Sequence, residues 1–222
     1  MNEKFNWRAK RERNAFIALA DGTVFHGYAF GKLKDTEGEV VFNTGMAGYK
    51  QIITDPSYAG QFVVFTTAEV GAYATHFEKS ESRQVFLNGI VVNSLDWVSK
   101  ELNEESLHHF MLTQDKPGIA GVDTRALTLH LREHGAQKAY LHVEESEMSE
   151  EEGIKKAKEW IGLDGQDYAT KVSDPKGYDF STEGKYNVIA LDFGIKTNIL
   201  RDLQSQDMKV TVMPISATFE QI

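Results

Sequence analysis

Apolar positions alternate with polar ones at the start of the chain and later thicken into short solid runs. Residues 14–20 (NAFIALA) alternate towards β, Asp21-Gly22 is a hairpin signal, and residues 24–30 form the returning strand. Residues 40–42 (VVF) and 61–66 (QFVVFT) are further strands, joined through a helical turn at 49–54. Residues 86–93 (FLNGIVVN) read as a buried strand. Helical spacing of Leu107, Phe110 and Met111 marks a helix over 104–112, followed by the breaker Lys116-Pro117-Gly118. After a short strand at 119–122, Asp123 or Thr124 caps a helix whose apolar side is Ala126, Leu127 and Leu131 and whose end is Gly135. Residues 140–143 close this first unit, an α+β or β/β/α domain over residues 1–147.

The pattern then changes. Six acidic residues crowd 144–152, and a helix follows to Trp160 with Ile154, Ala157 and Ile161 on its apolar side. Acids at that end suit the helix dipole, which makes a solvated N-terminus the better reading than a site for a basic partner. Loop-like stretches occupy 174–177 and 182–185. From Tyr186 the rhythm is apolar strand (188–191), turn (192–194), helix (196–204), apolar strand (210–213), a βαβ unit with parallel strands. Two strands and one helix cannot enclose a core, so residues 148–222 read as a connector and an incomplete second domain. The overall class is α/β.

Composition narrows the function. With 222 residues, 41% hydrophobic and 26% charged, the chain has the profile of a globular protein, and its net charge of −9 argues against a nucleic-acid partner. No apolar run approaches the roughly 20 residues that span a bilayer. The first 14 residues are charged and lack the apolar core of a secretory signal, so a disordered leader and a cytoplasmic location are expected. Cysteine is absent, which excludes disulfides, thiolate metal sites and a cysteine nucleophile in these residues.

Candidate chemistry is sparse. Of the seven histidines, only His130 and His134 share a helix face at i, i+4 spacing; with no further ligand evident they read as a solvated pair beside Arg132 and Glu133, and no metal site is expected. No phosphate loop and no GxSxG elbow occur, and Asp192-Phe193-Gly194 matches the kinase tripeptide without any other kinase element. Asp123-Thr124-Arg125 reads as a helix cap with a structural arginine. Gly45 and Gly48, three apart in the turn after residues 40–42, bring backbone N–H groups close to whatever lies above them. No catalytic constellation follows from the residues alone.

Three segments carry a resemblance: GEVVFNTGMAGYKQIITDPSY at 38–58, GIAGVDTRALTLHLREHGA at 118–136 and YNVIALDFGIKTNILRDL at 186–203. Together, and in order over most of 14–216, they resemble the small, glutamine-hydrolysing subunit of carbamoyl phosphate synthetases. The resemblance implies an N-terminal domain followed by the first βαβ of a flavodoxin-like class I glutamine amidotransferase domain. In that family a Cys-His-Glu triad hydrolyses glutamine, and the ammonia passes to a large subunit that uses bicarbonate and ATP, with Mg, to make carbamoyl phosphate. The triad would lie beyond Ile222, so no catalytic residue and no cofactor are expected in these residues, and the chain alone is expected to be inactive.

The implied partners are the large subunit, in a heterodimer, and L-glutamine, with no nucleic acid and no membrane. Arginine and pyrimidine biosynthesis both remain open as pathways, and a scaffold that docks on the large subunit without glutaminase chemistry is the alternative role. One site residue carries over. The family turn often reads Asn-Thr-Ser-Met-Thr-Gly-Tyr, and its serine contacts glutamine; Gly45 holds that position here, with Ala47 in place of the threonine. A further departure is Val70-Gly71-Ala72-Tyr73-Ala74, where the family tends to Ile-Gly-Asn-Tyr-Gly. Tyr49, Asp55, Pro56, Asp123, Thr124 and Arg125 match the family and read as fold and interface residues.

Overall fold

Residue Asn14 opens a strand, β1 (Asn14–Leu19), that turns at Asp21-Gly22 into β2 (Val24–Gly31), the hairpin expected from the sequence. The computed structural model describes residues 14–71, 80–96, 106–143 and 146–222. The expected leader, residues 72–74 of the divergent loop, the start of the 104–112 helix and Glu144 lie outside them.

Five more strands join this hairpin: β3 (Thr36–Asn43), β4 (Gln61–Phe65), β6 (Gly89–Val91), β8 (Pro117–Ala120) and β9 (Gln137–His142). The sheet closes into a barrel in the order β1-β2-β8-β6-β4-β3-β9 and back to β1. The β3, β4, β6 and β8 neighbours are parallel; the other pairs are antiparallel. Two-residue strands β5 (Glu69–Val70) and β7 (Ser94–Leu95) pair beside it.

Two apolar clusters explain the runs in the sequence. All seven barrel strands supply the first, including Ile17, Leu19, Phe62, Val64, Ile119 and Leu141, so it fills the barrel interior. The second lies on the outer face of β2, β4, β6 and β8, where Phe30, Val63, Phe65 and Ile90 meet two helices. These are α1 (Tyr49–Thr54), through Tyr49 and Ile53, and α2 (Leu107–Thr113), through Leu107, Phe110 and Met111. Strands covered on both faces need apolar residues at successive positions, which is why 62–65 and 90–92 lose their alternation.

Several boundaries differ from the sequence reading. Pro117 and Gly118 open β8 instead of breaking the chain; Pro117 sits at the first strand position, where a missing N–H is tolerated. Gly118 admits the Phe30 ring against its backbone, where any Cβ would collide with it. Helix α3 (Thr124–His134) is capped by Asp123, whose carboxylate accepts the Ala126 N–H at 2.9 Å, and stops at Gly135 with φ +82°. It buries Thr124, Leu127 and Leu131, whereas Ala126 points to solvent, because the buried stripe runs one position to its side.

Helix α4 (Glu150–Glu159) starts with a Ser149–Glu152 capping box and packs on β1 and β9. Gly153 lets the Phe16 ring close, Ala157 is buried beside it, and Ile161, past the helix end, is 73% exposed. Beneath α4, Asp35 accepts the Val143 N–H (2.8 Å) and the Tyr140 hydroxyl (3.0 Å) and pairs with His142 Nδ1 (2.8 Å).

A second sheet follows. Strands β11 (Tyr186–Asp192) and β12 (Met208–Pro214) are parallel and joined by α6 (Thr197–Ser205), the expected βαβ. Not expected were α5 (Tyr168–Val172) and β10 (Tyr178–Asp179), which pairs antiparallel with β12. Ala190, Val210 and Val212 pack under Leu200 of α6. The opposite side of β11 is open, with Ile189 at 40% and Leu191 at 42% exposure, although the continuous apolar run predicts cover on both faces.

Candidate functional site

Asn43 organises the turn that the sequence singles out. Its side-chain oxygen accepts the Gly45 N–H at 2.7 Å, and its Nδ2 donates to the Tyr58 hydroxyl at 3.0 Å. Gly48, at the N-cap of α1, takes φ +78°, the left-handed backbone that favours glycine. Gly45 has no positive φ; its glycine identity matters instead because a Cβ would lie 2.9 Å from Asn43 Oδ1. Its amide, which the sequence offers to a ligand, is thus engaged within the turn. Met46 at the tip is 79% exposed.

Behind the turn, α1 is anchored by Tyr49, Lys50, Ile53 and Thr54, all buried. The Lys50 ammonium sits 4.9 Å above the Phe110 ring. Thr54 continues the polar chain: its Oγ1 donates to the Lys50 carbonyl and accepts the Glu81 N–H at 2.9 Å, while its carbonyl accepts from Ser82 Oγ at 2.6 Å.

From here the barrel meets the βαβ unit through side chains far apart in sequence. Lys196, at the N-cap of α6, donates to Asp55 Oδ2 at 2.6 Å. The Glu81 carboxylate accepts the Asn198 N–H and its carbonyl accepts the Thr197 N–H, both at 2.9 Å. Glu81 therefore caps α6 from the barrel side, satisfying two N–H groups that the helix leaves unpaired. The Asp55 bond raises the Lys196 pKa above 10.5, burial works against it, and the charges of Asp55 and Glu81 assist. Tyr58, hydrogen-bonded to Asn43, belongs to the 3₁₀ turn that Asp55 caps.

A small cavity of about 100 Å³ lies at this junction, bordered by Pro56, Arg83, Asp174, Tyr178, Asp192 and Gly194. Arg83 donates to the carbonyls of Val172 (2.9 Å) and Ser173 (3.3 Å), fastening α5 to the barrel. Asp192, at the carboxyl end of β11, accepts from Gly194 N (2.9 Å), Ile195 N (3.0 Å) and Asp174 N (2.7 Å). Burial, then the Asp192 and Asp174 charges, push the Tyr178 hydroxyl's pKa up. The junction contains carboxylates, hydroxyls and cations but no thiol, so nucleophilic attack of the cysteine type has no agent here.

The remaining candidates fall elsewhere. His130 Nε2 pairs with Asp21 Oδ2 at 2.6 Å, and His134 Nδ1 lies 3.0 Å from the His130 carbonyl, the two rings stacked at 4.4 Å. Burial opposes the Asp21 charge, but hydrogen bonds from Thr23 and His130 prevail and hold its carboxyl below the usual range. No group of three or more His, Asp or Glu side chains fit for a metal occurs among the described residues. Sequence reasoning set Asp55 aside as a fold residue and did not single out Lys196 or Glu81. The segments TDPSY and DFGIK carry two of these three, but nothing in one dimension pairs them.

The family comparison matches residues 17–141 to the carbamoyl-phosphate synthase small chain, CPSase domain. The chain belongs to the carbamoyl-phosphate synthase small-chain family. Similar proteins include the carbamoyl phosphate synthase small chain of Acinetobacter baylyi, 40% identical over 225 residues (94% of this chain, 59% of the relative). That of Pasteurella multocida is 37% identical over 222 residues (94% and 57%), and that of Pseudomonas syringae pv. tomato 40% over 217 residues (90% and 57%). The chain spans about six-tenths of the length of these small-chain relatives. The matched 17–141 covers the barrel from β1 to β9, and the 94% coverage by the relatives carries the likeness into the βαβ unit. Among the described residues, no helix is long and apolar enough to cross a membrane.

Proposed function

We propose that this small chain serves glutamine-dependent carbamoyl phosphate synthesis, supplying ammonia from glutamine to a large subunit that carries the ATP and Mg chemistry. The observation that carries the reading is the family match over the barrel together with the junction it forms with β11 and α6. Residues 1–147 form the first domain and 148–222 the connector and opening βαβ of a flavodoxin-like amidotransferase domain. The parallel β11–β12 pair and the uncovered apolar side of β11 support that assignment, since such sheets carry helices on both faces.

In this reading the turn 43–49 forms one wall of the glutamine pocket, with Gly45 at the ligand-facing position. With the Gly45 N–H held by Asn43, the turn contributes shape and the Gly45 carbonyl, and the Asn43–Tyr58 hydrogen bond ties it to the 3₁₀ turn capped by Asp55, which holds Lys196. A docking role on the large subunit without glutamine chemistry is the second reading.

Two measurements on the purified chain test this. Mixed with the large chain of a family relative, it is expected to co-elute on size exclusion; separate elution at micromolar concentrations overturns the subunit role. Incubated with glutamine, it is expected to release no glutamate above a buffer blank, because a thiolate is required. Glutamate release by chain free of contaminating glutaminase would sink the thiol-based assignment.

A further inference from the structure

Between the loops beside the barrel that carry Lys34, Arg83 and Gln84 and the end of α2 with its following turn (Thr113, Gln114, Lys116) lies a groove of about 530 Å³, within the range of small-molecule sites. Its lining is rich in donors and poor in acceptors. Lys34, Arg83 and Lys116 border it, Lys32 stands beside it, and Asp115 is the one carboxylate among the described lining residues. Asp115 takes Lys34 at 2.8 Å and Lys32 at 3.8 Å. Three lysines around one carboxylate, with Arg83 also bordering the groove, leave it positive on a chain whose net charge is −9.

Lys116 is the telling residue. Its backbone is fixed on both sides, N–H to the Met111 carbonyl (2.9 Å) and carbonyl to the Lys32 N–H (3.0 Å). Among the described residues no hydrogen-bond or ion-pair partner reaches its ammonium. Burial, and then the neighbouring Lys34 charge, press its pKa below the ordinary lysine value against a smaller opposing pull from Asp115. A bound anion would relieve both penalties. Gln114 is held in a matching orientation, because its Oε1 accepts the Val85 N–H at 3.1 Å and leaves the carboxamide nitrogen as the donor end. Arg83 meets only carbonyls and the face of Phe86 among the described residues, so its charge also lacks a carboxylate.

We propose that this groove is a binding site for a phosphate-bearing small molecule of at least two negative charges, held by Lys116, Lys34 and the Gln114 carboxamide. The site stands apart from the Gly45 turn and from the α6 junction, and Arg83 alone borders both this groove and the junction cavity.

Inorganic pyrophosphate, titrated into the full chain in metal-free buffer at constant ionic strength, is the probe. Amide NMR shifts at Val85, Gln114, Asp115 and Lys116 are expected to saturate together with a sub-millimolar Kd. Lys116→Gln is expected to weaken binding at least fivefold. Asp115→Asn removes the opposing carboxylate and suits the left-handed backbone there (φ +55°), so it is expected to tighten binding several-fold. Linear shifts without saturation, the same shifts with chloride, unchanged affinity in Lys116→Gln, or weaker binding in Asp115→Asn each overturn the proposal and leave a solvated basic groove only.

Discussion

Lys196 Nζ and Asp55 Oδ2, 141 positions apart in the chain, meet at 2.6 Å and clasp the βαβ unit to the barrel. Asp55 is mostly buried, with 11% of its side chain exposed, while Lys196 keeps 43% and remains partly screened by water. Asp55 also caps the 3₁₀ turn Pro56–Tyr58 by accepting the Ser57 N–H, so the same carboxylate fixes local and long-range geometry.

Replacing Lys196 with Met is expected to cost about 1 kcal/mol, near the upper end for a partly exposed pair. The loss should be local: hydrogen exchange should quicken in β11 and the start of α6 and stay unchanged in β3 and β4. Because the folded pKa of Lys196 is raised, its contribution is complete below 10.5 and disappears as pH rises through the higher folded value. Thermal melts of wild type and Lys196→Met should therefore converge above that range. Equal differences at pH 8 and pH 11.5 would show that the pair contributes nothing through charge.

Gly118 and Phe30 give a packing test. A methyl group at 118 would run into the Phe30 ring, and both residues lie in tightly packed barrel strands. Gly118→Ala is expected to destabilise by about 2 kcal/mol, within the usual range for overpacking. Phe30→Leu should rescue part of that loss, since it vacates the space the methyl needs. Urea melts of the two single variants and the double variant measure the coupling, and additive losses would contradict direct collision.

The turn glycines should respond differently. Gly48→Val forces a β-branched residue into φ +78° and is expected to cost about 1–3 kcal/mol. Gly45→Ser carries no such strain but obliges the Asn43 side chain to shift away from the new Cβ, so its loss of stability should be smaller than that of Gly48→Val. If the proposed glutamine-dependent assembly with a large subunit is correct, Gly45→Ser in that assembly should leave glutamine KM equal or lower by at most the worth of one hydrogen bond, about 0.5–1.5 kcal/mol. Unchanged KM and kcat in both Gly45→Ser and a folded Gly45→Val variant would remove this residue from the pocket wall.

Local rules in the sequence determined the pieces. The Asp21-Gly22 hairpin, the Asp123 cap, the Gly135 stop and the βαβ rhythm after Tyr186 depend on backbone preferences and periodicity within a few residues, and all appear in the structure. The family was legible for a similar reason, since its three segments are each continuous. Tertiary structure decided the rest. Closure of the strands into a barrel depends on β9 pairing with both β1 and β3, a choice among distant partners that no local pattern encodes. Pro117 and Gly118 read as a break until β2 brings Phe30 against them. The junction is the clearest case: Asp55, Glu81 and Lys196 are ordinary surface-type residues in sequence, and only the packing of α6 on the barrel turns them into a clasp and a helix cap.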